Sequence, residues 1–349
     1  PSNICRFMPS MPGYIYAFKD KDIFVNLYIA SEAQLDLEDN AVNIHQKSEM
    51  PWNGHSEIVV DQDKDETITL KLRVPGWARE EAVPGNELYW FEHESSKKVV
   101  VKVNGELVDY SMDSNGYINI SRKWNDDKVE VHLPLEIRKV VCNPKVEGNK
   151  DKVALQRGPI VYCSEGVDSE SGQVANIILD KNSDLTSEYD ENLVGGLVTI
   201  KGRAQESRRL NDKETVYNEV GFKAIPYYAW CHRGATPMEV WYATNEKASR
   251  PKPAPTIANT STIDGSVKNI AIESVRDQIL PAGSNDGNTP RFHWWPHENQ
   301  KEWITYTFNE PQEVSRTKVF WFDDNGGCRP PASWKVYYLK GEEWKPFKN

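Results

Sequence analysis

Residues able to do chemistry are scattered through this chain, and most of their spacings resolve into ordinary structure. Asp61, Asp63 and Asp65 keep the first three spacings of an EF-hand loop, but Glu66 stands where the sharp-turn glycine belongs and Leu72 where the bidentate glutamate belongs. The run therefore reads as a solvated hairpin tip. His293 and His297 lie four apart, as in a helical zinc pair, yet Trp294, Trp295 and Pro296 between them supply a helix breaker and no glutamate base. The same stretch, Arg291 to His297, offers flat aromatic faces beside hydrogen-bonding rings. His293, Trp294 and Trp295 are thus a candidate platform for a sugar ring, the alternative being that both tryptophans are core. Around Asp286 the run Asn285-Asp286-Gly287-Asn288 is either a plain turn or a turn holding one structural Ca²⁺, a hard ion that wants six to eight oxygens.

Carboxylate pairs for general acid/base work, such as Glu136 with Glu147 or Asp323 with Asp324, cannot be told from surface charge without geometry, since 52 acids make chance pairs inevitable. The five cysteines, Cys5, Cys142, Cys163, Cys231 and Cys328, are odd in number and contain no CxxC. This excludes a disulfide-dense scaffold and a zinc-ribbon spacing. A Cys142 to Cys163 bridge is one option, and buried free thiols are the commoner state. There is no GxSxG, no phosphate-cradling glycine loop and no GxGxxG in a strand-to-helix setting.

The elements that must position these residues are strands. The 349 residues carry 21 Gly, 21 Pro and 37 aromatics (12 Trp, 15 Tyr, 10 Phe), so long helices should be scarce. The net charge of -10 opposes phosphate backbones and anionic membranes, which excludes nucleic acid and membrane surfaces as partners. No run of 18 apolar residues occurs. One short helix is expected over 2 to 12, broken by Pro9 and Pro12. From Tyr14 the period changes to two: YIYAF, a turn at 19 to 22, then IFVNLYIA. Ile68, Leu70, Leu72 and Val74 alternate with polar residues, VVVKV runs into the hairpin signal Asn104-Gly105, and YINIS follows Asn115-Gly116. The fold class expected is all-β, tandem antiparallel sandwiches rather than a βαβ fold. The domains expected are 1-13 as a helical remnant, 14-138 and 139-250 as two sandwiches, 251-265 as a proline-rich linker, and 266-349 as a third β domain with strands at ITYTF, TKVFWF and WKVYYL. A long polar loop is expected over 164 to 195.

Several stretches together resemble a known family: Pro1-Ser2-Asn3-Ile4, GYIYA at 13 to 17, VNLYIAS at 25 to 31, RVPGWA at 73 to 78, VNGE at 103 to 106, VALQRGPIVYCSE at 153 to 165 and AIPYYAWCHRG at 224 to 234. They are similar to the C-terminal part of glycoside hydrolase family 127, the β-L-arabinofuranosidases once grouped as a domain of unknown function. The last hundred residues, with FHWWP, EWITYTF, VFWFDDNGGCRPPASW and GEEWKP, resemble a discoidin-like (factor 5/8 type C) module. A module of that kind usually needs roughly 120 to 150 residues, so 266-349 is expected to be partial.

The resemblance implies a parent enzyme with a catalytic (α/α)6 barrel ahead of the sandwiches, retaining hydrolysis of arabinofuranosides, and a cysteine nucleophile near a Zn²⁺ ion bound by cysteines and a glutamate. A metal-held thiolate is nucleophilic at neutral pH and can form a covalent glycosyl intermediate. In the family a Cys-Cys pair directly precedes the segment that resembles Pro1-Ser2-Asn3, and Cys5 occupies neither position of it. No catalytic residue is carried over. The expectation is a non-catalytic sandwich region whose partners are the missing barrel and glycans containing arabinofuranose, in a periplasmic or secreted protein. The alternatives are a stand-alone carbohydrate-binding or protein-adhesion module.

Overall fold

The computed structural model describes residues 2–180, 182–211, 213–268, 270–287, 289–297 and 299–347. Pro1 of the family-like N-terminal motif and Asn288 of the turn at Asp286 lie outside the described residues. The chain divides into two compact units, residues 1–208 with 216–252, and residues 253–349 with 209–215.

In the first unit a short helix, Ser2–Ser10, with Pro9 in its last turn, precedes eleven strands: β1 (Tyr16–Lys19), β2 (Asp22–Val25), β3 (Ser31–Leu37), β4 (Asn40–Ser48), β5 (His55–Gln62), β6 (Ile68–Arg73), β7 (Tyr89–Phe91), β8 (Val100–Val103), β9 (Glu106–Leu107), β10 (Tyr117–Arg122) and β11 (Asp127–His132). All but β7 form a four-stranded sheet in the order β1-β2-β6-β10 and a six-stranded sheet in the order β3-β4-β5-β11-β8-β9. Period-two alternation decides which side chains meet between the sheets. Ile23, Val25, Leu70, Leu72 and Ile118 from one sheet join Val42, Ile44, Ile58, Val60, Val129 and Val131 from the other in one buried cluster. Each such side chain contributes about 1.5–3 kcal/mol on burial. Trp124 closes the core, its indole N–H donating to the Ile68 carbonyl at 3.0 Å. Asn104 and Gly105 both take positive φ (52° and 85°), as a two-residue hairpin turn between β8 and β9 requires.

Nine further strands follow: β12 (Ile137–Cys142), β13 (Lys152–Arg157), β14 (Ile160–Glu165), β15 (Ile177–Ile178), β16 (Thr186–Asp190), β17 (Leu197–Arg209), β18 (Thr215–Pro226), β19 (Met238–Glu239) and β20 (Tyr242–Ala243). With β7 they make a ten-stranded sheet. β7 crosses the sequence-based division at 138/139 and pairs with β12, Val140 opposite Phe91. The stretch from 164 to 195, expected as a loop, instead supplies β15 and β16. Val174, Ile177 and Leu179 anchor it in the core, and Asn176, 2% exposed, hides the apolar period by hydrogen-bonding Glu206 and the Ser207 carbonyl. The chain is all-β apart from its short helices, as its composition implies.

The second unit carries a four-residue helix (Ile257–Thr260), β21 (Thr262–Gly265), β22 (Ile304–Thr307), β23 (Tyr337–Lys340) and β24 (Glu343–Pro346). The helix and β21 fall inside the stretch expected as linker, because the Thr256 hydroxyl accepts the Asn259 N–H and caps a turn there. β21 pairs with β22 and β23 with β24. TKVFWF at 317 to 322 forms no strand: Val319 and Phe320 are exposed, while Trp321 packs into a ring cluster. Alternation alone makes no ladder without a neighbour to pair with.

Candidate functional site

The residues singled out near the C-terminus divide by burial. Trp294 is half-buried, its ring 5.1 Å from Phe292 and 6.5 Å from Trp321, which meets Trp334 at 6.3 Å. Arg291 stacks its guanidinium 3.9 Å from the Phe322 centroid. Trp294 is therefore a packing residue, whereas Trp295 is 58% exposed. His293 is exposed and its Nδ1 accepts the Trp295 N–H at 3.3 Å. His297 is turned away to Glu302, Nδ1 to Oε1 2.7 Å, and no helix aligns it with His293.

Asp286 closes a turn. Its Oδ2 accepts the Ala282 N–H at 3.1 Å and the Thr289 hydroxyl at 2.9 Å. Among the described residues no group of three His, Cys, Asp or Glu side chains contains it.

The carboxylates of Glu136, Asp323, Asp324, Asp61 and Asp65 have structural partners. Glu136 accepts from Ser95 and Ser96, and those hydroxyls hold its carboxyl below the usual range against the opposing effect of burial. Asp323 pairs with Arg329 at 3.0 Å, and Asp324 accepts the Gly326 and Cys328 N–H groups, which lower its pKa. Asp61 accepts the Asp126 N–H and Asp65 pairs with Lys123 at 2.7 Å, as suits a hairpin tip. All five cysteines are free.

Three clusters in the first unit were not read from the sequence. His55, Glu57 and Glu130 project from adjacent strands with ligand atoms within 4.8 Å, but Lys128 already lies 3.2 Å from Glu57 and 3.5 Å from Glu130. The i, i+2 spacing of charged residues on two strands was its only signal.

The second cluster is ionic. Glu165 (0% exposed) and Asp168 both grip Arg233: Glu165 Oε2 accepts from Nε at 3.0 Å and Nη2 at 2.5 Å, and Asp168 Oδ1 from Nη1 at 2.9 Å. The Asp168 hydrogen bonds, with those of Glu165, push the guanidinium pKa up. The other Glu165 oxygen accepts the N–H of Cys231, which stands at φ 70°. Nearby, burial pushes the Cys163 thiol up to about 12.

This network fixes a loop whose exposed side chains are aromatic. Tyr227, Tyr228 and Trp230 are each 41–51% exposed, and Tyr227 stacks on Trp230 with centroids 6.0 Å apart. The third cluster joins this loop to the first sandwich: Tyr228 meets Trp52 edge to face at 6.0 Å, and Arg157 donates to the Trp52 carbonyl at 3.1 Å.

A four-stranded and a six-stranded sheet sharing one core, a ten-stranded sheet, and loops bearing exposed aromatics make the first unit an all-β region whose sheets are antiparallel except for the β2–β6 and β15–β20 pairings. Residues 22–135 match the GH127 middle domain of β-L-arabinofuranosidases, and residues 137–243 match the glycoside hydrolase family 127 C-terminal domain. The chain belongs to glycoside hydrolase family 127. It is 26% identical over 259 residues to the non-reducing end β-L-arabinofuranosidase of Bifidobacterium longum subsp. longum, covering 69% of this chain and 36% of that one. A solved GH127 β-arabinofuranosidase is 37% identical with a TM-score of 0.68, over 72% of this chain and 39% of that one. The GH127 β-L-arabinofuranosidase of Geobacillus stearothermophilus T6 is 33% identical with a TM-score of 0.60, over 70% and 37%. The chain thus spans 36–39% of the length of these relatives.

Proposed function

We propose that these residues are the non-catalytic sandwich region of a retaining β-L-arabinofuranosidase, working beside a helical catalytic barrel on glycans that contain arabinofuranose. The observation that carries this reading is the pair of family matches, which together span residues 22–243. The cysteine chemistry supports it. A zinc-held thiolate needs cysteines grouped with other ligands, and among the described residues no cysteine belongs to a group of three possible metal ligands. Cys163 is buried and its thiol pushed up to about 12, the opposite of activation. We place the zinc ion that the family resemblance implies in the barrel, and no step of hydrolysis is assigned to this chain.

In the second unit, Trp295 with His293 is the proposed glycan contact, since Trp295 is the exposed ring of the pair and Trp294 is packed. A periplasmic or secreted location goes with polymeric glycans as substrate.

The test is hydrolysis of p-nitrophenyl β-L-arabinofuranoside by the 349-residue chain, with and without added Zn²⁺. Release at the buffer rate is expected. Release proportional to protein concentration overturns the assignment of catalysis to another segment.

A further inference from the structure

We propose that Trp52, Tyr228 and Arg157 form a saccharide-binding notch on the first unit. The inference rests on the glycan reading above and adds a site to it. The Trp52 and Tyr228 rings meet at 67° with centroids 6.0 Å apart, so they form a corner rather than a flat stripe. Both are about half exposed, 46% and 51%, which leaves a face of each to solvent. A furanose or pyranose ring is amphipathic in the complementary way, with C–H bonds on one face and hydroxyls at its rim. Its C–H face stacks on an indole or phenol, and its oxygens seek donors.

Arg157 braces the corner through the Trp52 backbone. Its Nη1 donates to the Trp52 carbonyl at 3.1 Å, while its Nε–H is buried, shut off from solvent and without an acceptor among the described residues. Two half-exposed rings that meet at a corner suit a ligand with an apolar C–H face and a polar rim, and so a sugar. The corner is also rigid before any ligand arrives. Trp52 N–H is tied to the Glu49 carbonyl at 2.8 Å, and the loop bearing Tyr228 is held by the Glu165–Arg233–Asp168 network. Preorganisation of this kind lowers the ordering cost of binding. A concavity of about 910 Å³ elsewhere on the same unit, bordered by Asp151, Asp180, Arg203, Glu219 and Glu246, has no aromatic lining for a ring to stack on.

The experiment is ¹⁹F NMR of the whole chain labelled with 5-fluorotryptophan, the Trp52 resonance being assigned by Trp52→Phe. The probes are arabinotriose and, separately, cellotriose, each titrated into the millimolar range. Arabinotriose is expected to shift the Trp52 resonance saturably. Tyr228→Ala should weaken that binding about tenfold, Tyr228→Phe should retain most of it, and a change at the exposed Trp344, Trp344→Phe, should leave it unchanged. A Trp52 resonance that neither sugar moves overturns the notch, and shifts confined to other tryptophans would then place glycan binding elsewhere. Cellotriose binding at Trp52 without arabinotriose binding keeps the notch and overturns the arabinose reading.

Discussion

Glu165 and Arg233, 68 residues apart in the chain, meet through two hydrogen bonds from the guanidinium to Oε2, with the glutamate wholly buried and the arginine side chain 18% exposed. The contact ties the end of β14 to the loop after β18. The loop is exposed, yet its shape is set from beneath by a charge pair that water scarcely reaches.

Arg233→Met leaves Glu165 buried without its partner, which costs about 3 kcal/mol for a pair of this kind. The urea midpoint of the first unit should fall accordingly. Glu165→Gln together with Arg233→Met should cost less than the sum of the single changes, and strict additivity in this cycle would show that the two side chains act independently.

Thiol reactivity should sort by burial. Cys163 is 0% exposed and pushed up to about 12, whereas Cys5 and Cys231 are exposed. At pH 8 iodoacetamide should modify Cys5 and Cys231 and spare Cys163, as read by peptide mass. The same shift has a stability sign. The folded thiol ionises later than the unfolded one, so its contribution is full below pH 9.0 and is lost as pH rises towards about 12.

Asp113 gives the opposite sign. Its Oδ1 accepts the Tyr117 and Asn115 N–H groups at 3.0 and 2.9 Å, the Tyr117 bond being the largest cause that lowers its pKa below 3.8. The folded carboxylate is favoured, so this contribution is present above pH 3.8 and is lost as pH falls through the lowered value. Asp113→Ala should flatten the acid limb of the pH–stability profile, and an unchanged limb would refute the role of the turn.

In the second unit Trp321 and Trp295 should part company. Trp321→Ala removes the ring between Trp294 and Trp334 and should cost about 3 kcal/mol. Trp295→Ala removes an exposed ring and should change stability by less than about 0.5 kcal/mol. Equal losses of melting temperature would contradict the division into packing and contact residues.

Much of the fold was legible because its causes are local. Ile68, Leu70 and Leu72 announce a half-buried strand two residues at a time, and Asn104-Gly105 announces a turn by its tolerance of positive φ. Where polar residues serve as core, the reading failed: Asn176 is buried because Glu206 and Ser207 satisfy its amide, and nothing local in its neighbourhood says so. TKVFWF failed in the other direction, because its period promised a strand for which the unit provides no ladder. The candidate sites followed the same rule. His293, Trp294 and Trp295 are neighbours in sequence and were seen together, but only packing separated the buried ring from the exposed one.

By itself the sequence determined the all-β class, most turns, the net charge of -10 and the family motifs, all of which depend on residue type and short spacing. Only the tertiary structure decided that β7 joins the second sheet, that Glu165 and Asp168 converge on Arg233, and that Trp52 meets Tyr228. Those contacts are long-range. Their geometry depends on sheet pairing and twist, and the free energy that selects one pairing over another is summed across the whole core rather than written in any one segment.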